Sequence, residues 1–195
     1  AIKDNDLPPK DALPLMFSES VEKLLEQGYQ WVGLDHFAKP TDDLGKAVQR
    51  GTGWRNFNGF TPGRTSHLIG IGPTATGAFG AFYSQNVFEL HDYFQSLEEG
   101  KFPTLRGYQL KNDDIIRRDI MFRLLCDQRV DFGDIDEKYG IAHREYFGDE
   151  LLALHHEFEQ NGVLEFSGNI VAVTSLGRLF IRNVCQVFDL SLIHI

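Results

Sequence analysis

Apolar positions change period along this chain, and each change marks an element. Between Pro14 and Gln27 they fall at Leu15, Phe17, Val21, Leu24 and Leu25. That spacing predicts an amphipathic helix stopped by Gly28. Tyr29–Leu34 (YQWVGL) reads as a buried strand. Helix and strand together are one step of an α/β layer. A single step cannot bury its own faces, so the missing layers are expected upstream in sequence or on another chain. Residues 35–53 are polar, with a helix expected over Asp42–Gln49. An aromatic, glycine-rich tract at 53–63 (GWRNFNGFTPG) leads to a short strand at His67–Ile69 and a second glycine-rich tract at 70–86 (GIGPTATGAFGAFYSQN). A helix is expected from Val87 to Leu97, with Gly100 beyond its end.

Leu110–Asn112 is a boundary, after which the texture becomes helical, with Ile115, Ile116, Ile120, Phe122, Leu124 and Leu125 in one run. A short helix near 133–138 and a longer one near 147–160 follow. Val163–Phe166 and Ile170–Val173 flank Ser167-Gly168-Asn169, a hairpin signal. Thr174-Ser175 is placed to cap a last helix running to Phe188. Helix–helix–helix–hairpin–helix resembles a winged-helix arrangement.

Composition narrows the classes. With 195 residues, 42% hydrophobic and 16 of them Phe, the chain can bury a substantial core. The longest apolar runs are too short for a membrane span, and no secretory leader is visible, so the expected address is cytoplasmic. Cys126 and Cys185 are too few for a disulfide framework or a four-cysteine metal site. The balance of 19 Lys+Arg against 28 Asp+Glu, net −9, argues against a binder of nucleic acid. Residues 112–195 carry 8 Lys+Arg against 15 Asp+Glu, so Arg117, Arg118, Arg178 and Arg182 do not make a DNA face. Arg117, Arg118 and Arg182 are expected to pair with Asp113, Asp114 or Asp119.

Several groups could carry chemistry. Gly70, Gly72 and Ala75 satisfy the loose form of a dinucleotide fingerprint, but Pro73 sits in the turn and Gly77 and Gly80 weaken any helix after it. A glycine-rich backbone that admits a ligand or another strand is the more economical reading, and purely structural glycines remain open. The seven histidines include no H-E-x-x-H spacing, and adjacent His155 and His156 face different ways, so no metal ligands are assigned. Asp35-His36 ends a strand, where α/β sites gather polar groups; a simple turn-capping role for Asp35 also fits. Arg55 and Asn58 stand among Trp54, Phe57 and Phe60. Rings that stack and a guanidinium that takes a carboxylate suit a flat, carboxylate-bearing ligand, although an ordinary loop folding its aromatics inward has the same composition.

Five tracts, YQWVGLDHFAKP (29–40), WRNFNGFTPG (54–63), LIGIGPTATGAFGAFYSQN (68–86), DDIIRRDIMFRLLC (113–126) and TSLGRLFIRNVCQVFD (174–189), resemble the C-terminal part of the oxygen-independent coproporphyrinogen III oxidases, of the radical S-adenosylmethionine superfamily. The resemblance implies an α/β + α fold. Residues 1–111 would be the tail of a partial radical-SAM (β/α) barrel with an extra sheet, and 112–189 a helical, winged-helix-like C-terminal domain. It implies an oxidoreductase of haem biosynthesis that converts two propionates of coproporphyrinogen III to vinyl groups, giving protoporphyrinogen IX. Its cofactors would be S-adenosyl-L-methionine and a [4Fe–4S] cluster on a C-x-x-x-C-x-x-C loop. No such loop occurs here, and the chain opens at Ala1 in mid-pattern, so a catalytically inactive fragment of a protein that is monomeric at full length is expected. Phe57 and Asn58 match a Phe-Gln pair implicated in activity, with Asn58 one methylene shorter. Thr76 matches a position, Ile in the family, that contacts S-adenosylmethionine, and Gly70 and Gly72 would let the main chain approach that cofactor. Arg55 and His36 are added on chemical grounds as substrate-binding candidates, Arg55 for a propionate. Residues 190–195 (LSLIHI) break from the family and read as a non-native tail. The competing function is a non-catalytic haem- or porphyrin-binding relative, or a winged-helix interaction module.

Overall fold

The structure, a computed structural model, describes residues 3, 7–65 and 67–189, so the expectation for 190–195 lies outside the described residues. Helix α1 (Leu13–Glu26) sets Phe17 edge-on against Trp31 at 6.1 Å and buries Val21, while Leu15 stays 63% exposed. Gly28, at φ +80°, takes the left-handed conformation that ends the helix. Strand β1 (Gln30–Gly33) then folds back antiparallel on β2 (His36–Ala38), with Trp31 stacked on Phe37 at 6.2 Å. Every strand pair among the described residues is antiparallel. The α/β step is therefore present as a helix followed by a hairpin, and β1 has no parallel neighbour among the described residues.

Helix α2 (Asp43–Gln49) is capped by the Asp42 carboxylate, which accepts from Leu44 N at 3.0 Å. The first glycine-rich tract is a hairpin of β3 (Trp54–Asn56) and β4 (Gly59–Thr61). The second holds two strands of a four-stranded sheet in the order β5 (His67–Leu68), β6 (Thr76–Phe79), β7 (Phe82–Asn86), β8 (Thr104–Gln109). Helix α3 (Leu90–Glu98) starts later than the expected Val87. Val87 instead prolongs the sheet: its N–H donates to Pro103 O at 2.9 Å and its carbonyl accepts from Thr74 N at 2.9 Å.

The second half runs α4 (Asn112–Cys126), β9 (Arg129–Asp131), α5 (Phe132–Tyr139), α6 (His143–Tyr146) and α7 (Gly148–Ala153), which continues into a π-helical turn at Leu154–Glu159. The hairpin β10 (Leu164–Ser167) and β11 (Ile170–Val173) follows, β9 pairing with β11, and α8 (Gly177–Gln186) closes the unit. Thr174 caps α8 as expected: its Oγ1 accepts from Gly177 N at 2.9 Å and donates to Gly162 O at 2.7 Å. One core, from Ile116 to Phe188, fills this unit, with Ile120, Leu124, Ile135, Phe147 and Phe188 fully sealed. Several contacts fasten the first half to it. Trp54 meets Phe122 at 4.6 Å, the Arg178 guanidinium lies 4.1 Å over Trp31 while donating to its carbonyl, and Arg118 donates to Gly80 O at 3.0 Å.

Candidate functional site

The β3–β4 turn is fixed by Asn56, whose Oδ1 accepts from Asn58 N at 2.8 Å. This throws Phe57 over the four-stranded sheet, edge-on to Tyr83 at 5.0 Å and 36% exposed, and leaves the Asn58 side chain in solvent. Thr76 opens β6, and Phe57 and Thr76 line one cavity of about 290 Å³ between β7, β8 and α4. Its polar walls are braced. Arg106 Nε donates to Gln85 Oε1 at 2.8 Å, and Tyr108 Oη donates to Asp114 Oδ2 at 3.0 Å. Arg117 donates to Asp113 at 2.9 Å and to Glu150 at 2.7 Å. Burial works against the Arg117 charge, but those two carboxylates outweigh it and raise its pKa.

Phe57, Tyr83 and Arg118 also line a second, larger cavity of about 750 Å³, bounded by the β3–β4 hairpin, the sheet, α4 and the end of α5. Trp54, Phe122, Arg64 and Lys138 complete its character as an aromatic and basic space. Two volumes thus share one wall.

Gly70 and Gly72 do a different job. A Cβ on Gly70 would lie 2.6 Å from Thr76 O, so the glycine lets two segments of this chain close on each other. Asn86 Nδ2 donates to Gly70 O at 3.2 Å and Gly72 O at 3.0 Å, and Gly72 N–H donates to Tyr93 Oη at 3.0 Å. Those main-chain groups are occupied within the fold, and neither glycine lines either of these cavities. Of the two readings left open by the sequence, close approach of the chain to itself is the one the geometry supports.

His36 and Arg55 meet across Phe60. The His36 ring is edge-on to it at 5.3 Å, and the Arg55 guanidinium lies 5.2 Å over it. Gly59, at φ +124°, faces His36 Nε2 at a point where a Cβ would be 2.7 Å away, so the imidazole requires glycine there. His36 Nδ1 pairs with Asp35 Oδ1 at 3.0 Å. A backbone hydrogen bond, then His36 and Arg182, hold the Asp35 carboxyl below its ordinary pKa. Arg55 Nη1 is buried without a hydrogen-bond partner among the described residues, and burial followed by the nearby Arg182 pulls its pKa down. Leu34, at φ +50°, turns the chain between β1 and β2 and is held by Trp31 Nε1 donating to its carbonyl at 2.7 Å.

Residues 110–180 match the HemN C-terminal domain family. The chain is 38% identical over 188 residues to the oxygen-independent coproporphyrinogen III oxidase of Salmonella typhimurium, covering 96% of this chain and 41% of that protein. It is 36% identical over 188 residues to the Pseudomonas aeruginosa protein of the same name, again over 41% of it. Among solved structures it is similar to coproporphyrinogen III oxidase (HemN) from Escherichia coli, described as a radical SAM enzyme. The TM-score is 0.90 at 36% identity, over 97% of this chain and 43% of that one. Over nearly its whole length this chain is similar to the C-terminal part of oxygen-independent coproporphyrinogen III oxidases. It spans about two-fifths of the length of these relatives.

The cofactors of a radical SAM enzyme fit these residues unequally. An iron–sulfur cluster needs thiolates. Burial pushes the Cys126 thiol up to about 11 and the Cys185 thiol up to about 12, so both stay protonated. Among the described residues no group of three or more His, Cys, Asp or Glu side chains could hold a metal ion. A cluster therefore does not fit this span. Thr76, the residue matched to a cofactor contact, lines the smaller cavity together with Phe57, Arg106 and Asp114.

The structure brings together Phe57 with Thr76, and His36 with Arg55. It leaves Asn58, Gly70 and Gly72 outside both cavities. Tyr83, Arg106, Arg64 and the role of Arg118 are not singled out by the sequence pattern. Sequence proximity pairs Arg118 with an aspartate; in the fold it donates instead to Gly80 O at 3.0 Å and Tyr83 Oη at 3.3 Å. Arg117 does pair with Asp113. The signal for Tyr83 lies in the alternation of FYSQN, obscured by the glycines that precede it.

Proposed function

We propose that this chain is the C-terminal part of an oxygen-independent coproporphyrinogen III oxidase, the cytoplasmic, monomeric enzyme that removes the carboxyl groups of two propionates and yields protoporphyrinogen IX. The observation that carries this is the agreement of 36–38% identity over 96–97% of the chain with a TM-score of 0.90. On this reading residues 1–111 complete the catalytic domain, with α1 and β1 as the last step of its barrel. Residues 112–189 form a winged-helix-like domain, for which the order α4, β9, α5–α7, β10, β11, α8 is the support. The cluster ligands lie on cysteines outside this span. Bound S-adenosylmethionine supplies the radical chemistry by which a propionate β-carbon loses hydrogen. This chain's part is to cover that reaction: Phe57 and Thr76 wall the cofactor side, while Tyr83 backs Phe57 and keeps its ring in place. Exposed apolar residues of the first half, such as Ile71 at 85% and Phe102 at 93%, are where the rest of such an enzyme would pack.

The gene product that carries this chain, supplied anaerobically with coproporphyrinogen III, S-adenosylmethionine, a reductant to start the radical and an electron acceptor to take one electron per carboxyl lost, should release two CO₂ per tetrapyrrole. Phe57→Ala should lower that rate by about two orders of magnitude through misplacement of the reacting groups. Absence of carboxyl loss from the reconstituted protein would overturn the reading.

A further inference from the structure

The larger cavity carries a charge pattern at odds with the rest of the molecule. In a chain of net charge −9, it is lined by Arg55, Arg64, Arg118 and Lys138 against a single carboxylate, Asp119. That carboxylate is already committed: it accepts from Lys138 at 2.8 Å and Tyr139 at 3.0 Å, and pairs with Arg123 at 3.5 Å. Arg64 and Arg118 have no carboxylate within ion-pair distance among the described residues. Arg64 is exposed and lies 4.5 Å over the Trp54 ring, which leaves the edge of its guanidinium open to a ligand. Arg118 binds Gly80 O and Tyr83 Oη through Nη1, so its other N–H groups have no protein partner among the described residues. Trp54, Phe122, Phe57 and Tyr83 line the same cavity as these two cations. A space of about 750 Å³ lies in the range of pockets that enclose whole organic ligands.

Unpaired guanidinium groups select carboxylates, which they bind through paired N–H donors, and aromatic walls select a ring-bearing ligand. We propose that the larger cavity is a binding site for a ring-bearing polycarboxylate of tetrapyrrole size, with Arg64 and Arg118 as its carboxylate receptors. The choice of a tetrapyrrole rests on the function proposed above; the anionic, ring-bearing chemistry of the ligand does not. A carboxylate on Arg118 stands at the wall shared with the cavity that holds Thr76, because Arg118, Phe57 and Tyr83 line both. Arg64 takes a second carboxylate and sets how the ligand is turned.

The test titrates coproporphyrin III, a stable tetracarboxylate, into the protein carrying this chain and follows the porphyrin absorption band. Coproporphyrin III should bind, its uncharged tetra-amide should not, and Arg64→Ala should weaken binding about tenfold, with Arg64→Lys between the two. The Arg64 guanidinium meets the fold through the Trp54 ring, with no ion pair among the described residues, so its removal should leave folding intact, which an unchanged melting curve verifies. Equal binding of the acid and the amide, or an unchanged affinity in Arg64→Ala, overturns the site. Carboxyl loss is measured in parallel. Turnover without Arg64-dependent binding defeats this inference and leaves the proposed function standing, whereas Arg64-dependent binding without turnover does the reverse.

Discussion

In residues 112–189 Ile120, Leu124, Ile135, Phe147, Leu154, Val184 and Phe188 are wholly shut away from water. In residues 7–111 the most buried apolar side chains are Val32 and Ala47 at 4%, and Ile69, Ile71, Phe88, Leu90, Phe94 and Phe102 all face solvent. Both regions are rich in apolar residues; what differs is whether the chain supplies an opposing layer. The second region folds its helices and a three-stranded sheet around one centre. The first consists of hairpins, short flanking helices and a four-stranded sheet, with apolar faces that nothing within the described residues covers. The self-contained region holds the sealed core and also brings Arg118 and Phe122 to the cavities, while the incompletely covered one brings Phe57, Thr76, Arg64 and Trp54.

The sharpest way to break this comparison is to cut into the sealed core. Phe147→Ala should cost about 3–5 kcal/mol in denaturant unfolding, since its ring packs on Phe132 and Phe188 at 6.4 and 5.6 Å. A loss below about 1 kcal/mol would mean that the core is not what holds the second region. Next is the buried cation at the edge of that core. Arg117→Met strands Glu150 and Asp113 and should cost about 3 kcal/mol, read from the same curves.

Acid probes the surface of the second region. Burial disfavours the Asp119 carboxylate, but hydrogen bonds from Lys138 and Tyr139 and the charges of Lys138 and Arg123 outweigh it, and its pKa is lowered. A carboxyl with a lowered folded pKa contributes stability that is complete above its unfolded value, near 4, and is lost as pH falls through the folded one. Asp119→Asn should therefore cost about 1–2 kcal/mol at pH 7 and progressively less below about pH 4. A difference that does not shrink in acid would remove Asp119 from the account. The smallest effect belongs to the first region. Phe102, 93% exposed, should tolerate Ser within about 0.5 kcal/mol, and a larger loss would show that its face is already covered.

Much of the scaffold is legible in the order of residues alone. Helices α1 and α4, the β10–β11 hairpin and the Thr174 cap all follow from local spacing. β8 leaves no such trace: every residue from Thr104 to Gln109 is exposed, so no alternation of apolar and polar positions exists to be read. The glycine-rich tract at 70–86 has the composition of a ligand cradle, yet Gly70 and Gly77 serve close contacts within the chain and its Phe82–Asn86 part is a central strand. Of the site, Phe57 and Thr76 are reached through the family resemblance. Arg118 escapes local reasoning because a neighbouring aspartate in sequence is the obvious partner, and its actual acceptors are 35 and 38 residues away.

The main helices, the last hairpin, the family resemblance and the residue types available for binding were set by the sequence, because periodicity and turn chemistry act over a few residues. Which side chains share a cavity was decided only when distant segments met. Phe57 faces Tyr83, Arg64 lies over Trp54, and Arg118 reaches across to Gly80 because α4 packs beside the β3–β4 hairpin and the sheet. Local patterning records that a face will be buried, and it carries no information about which surface will bury it.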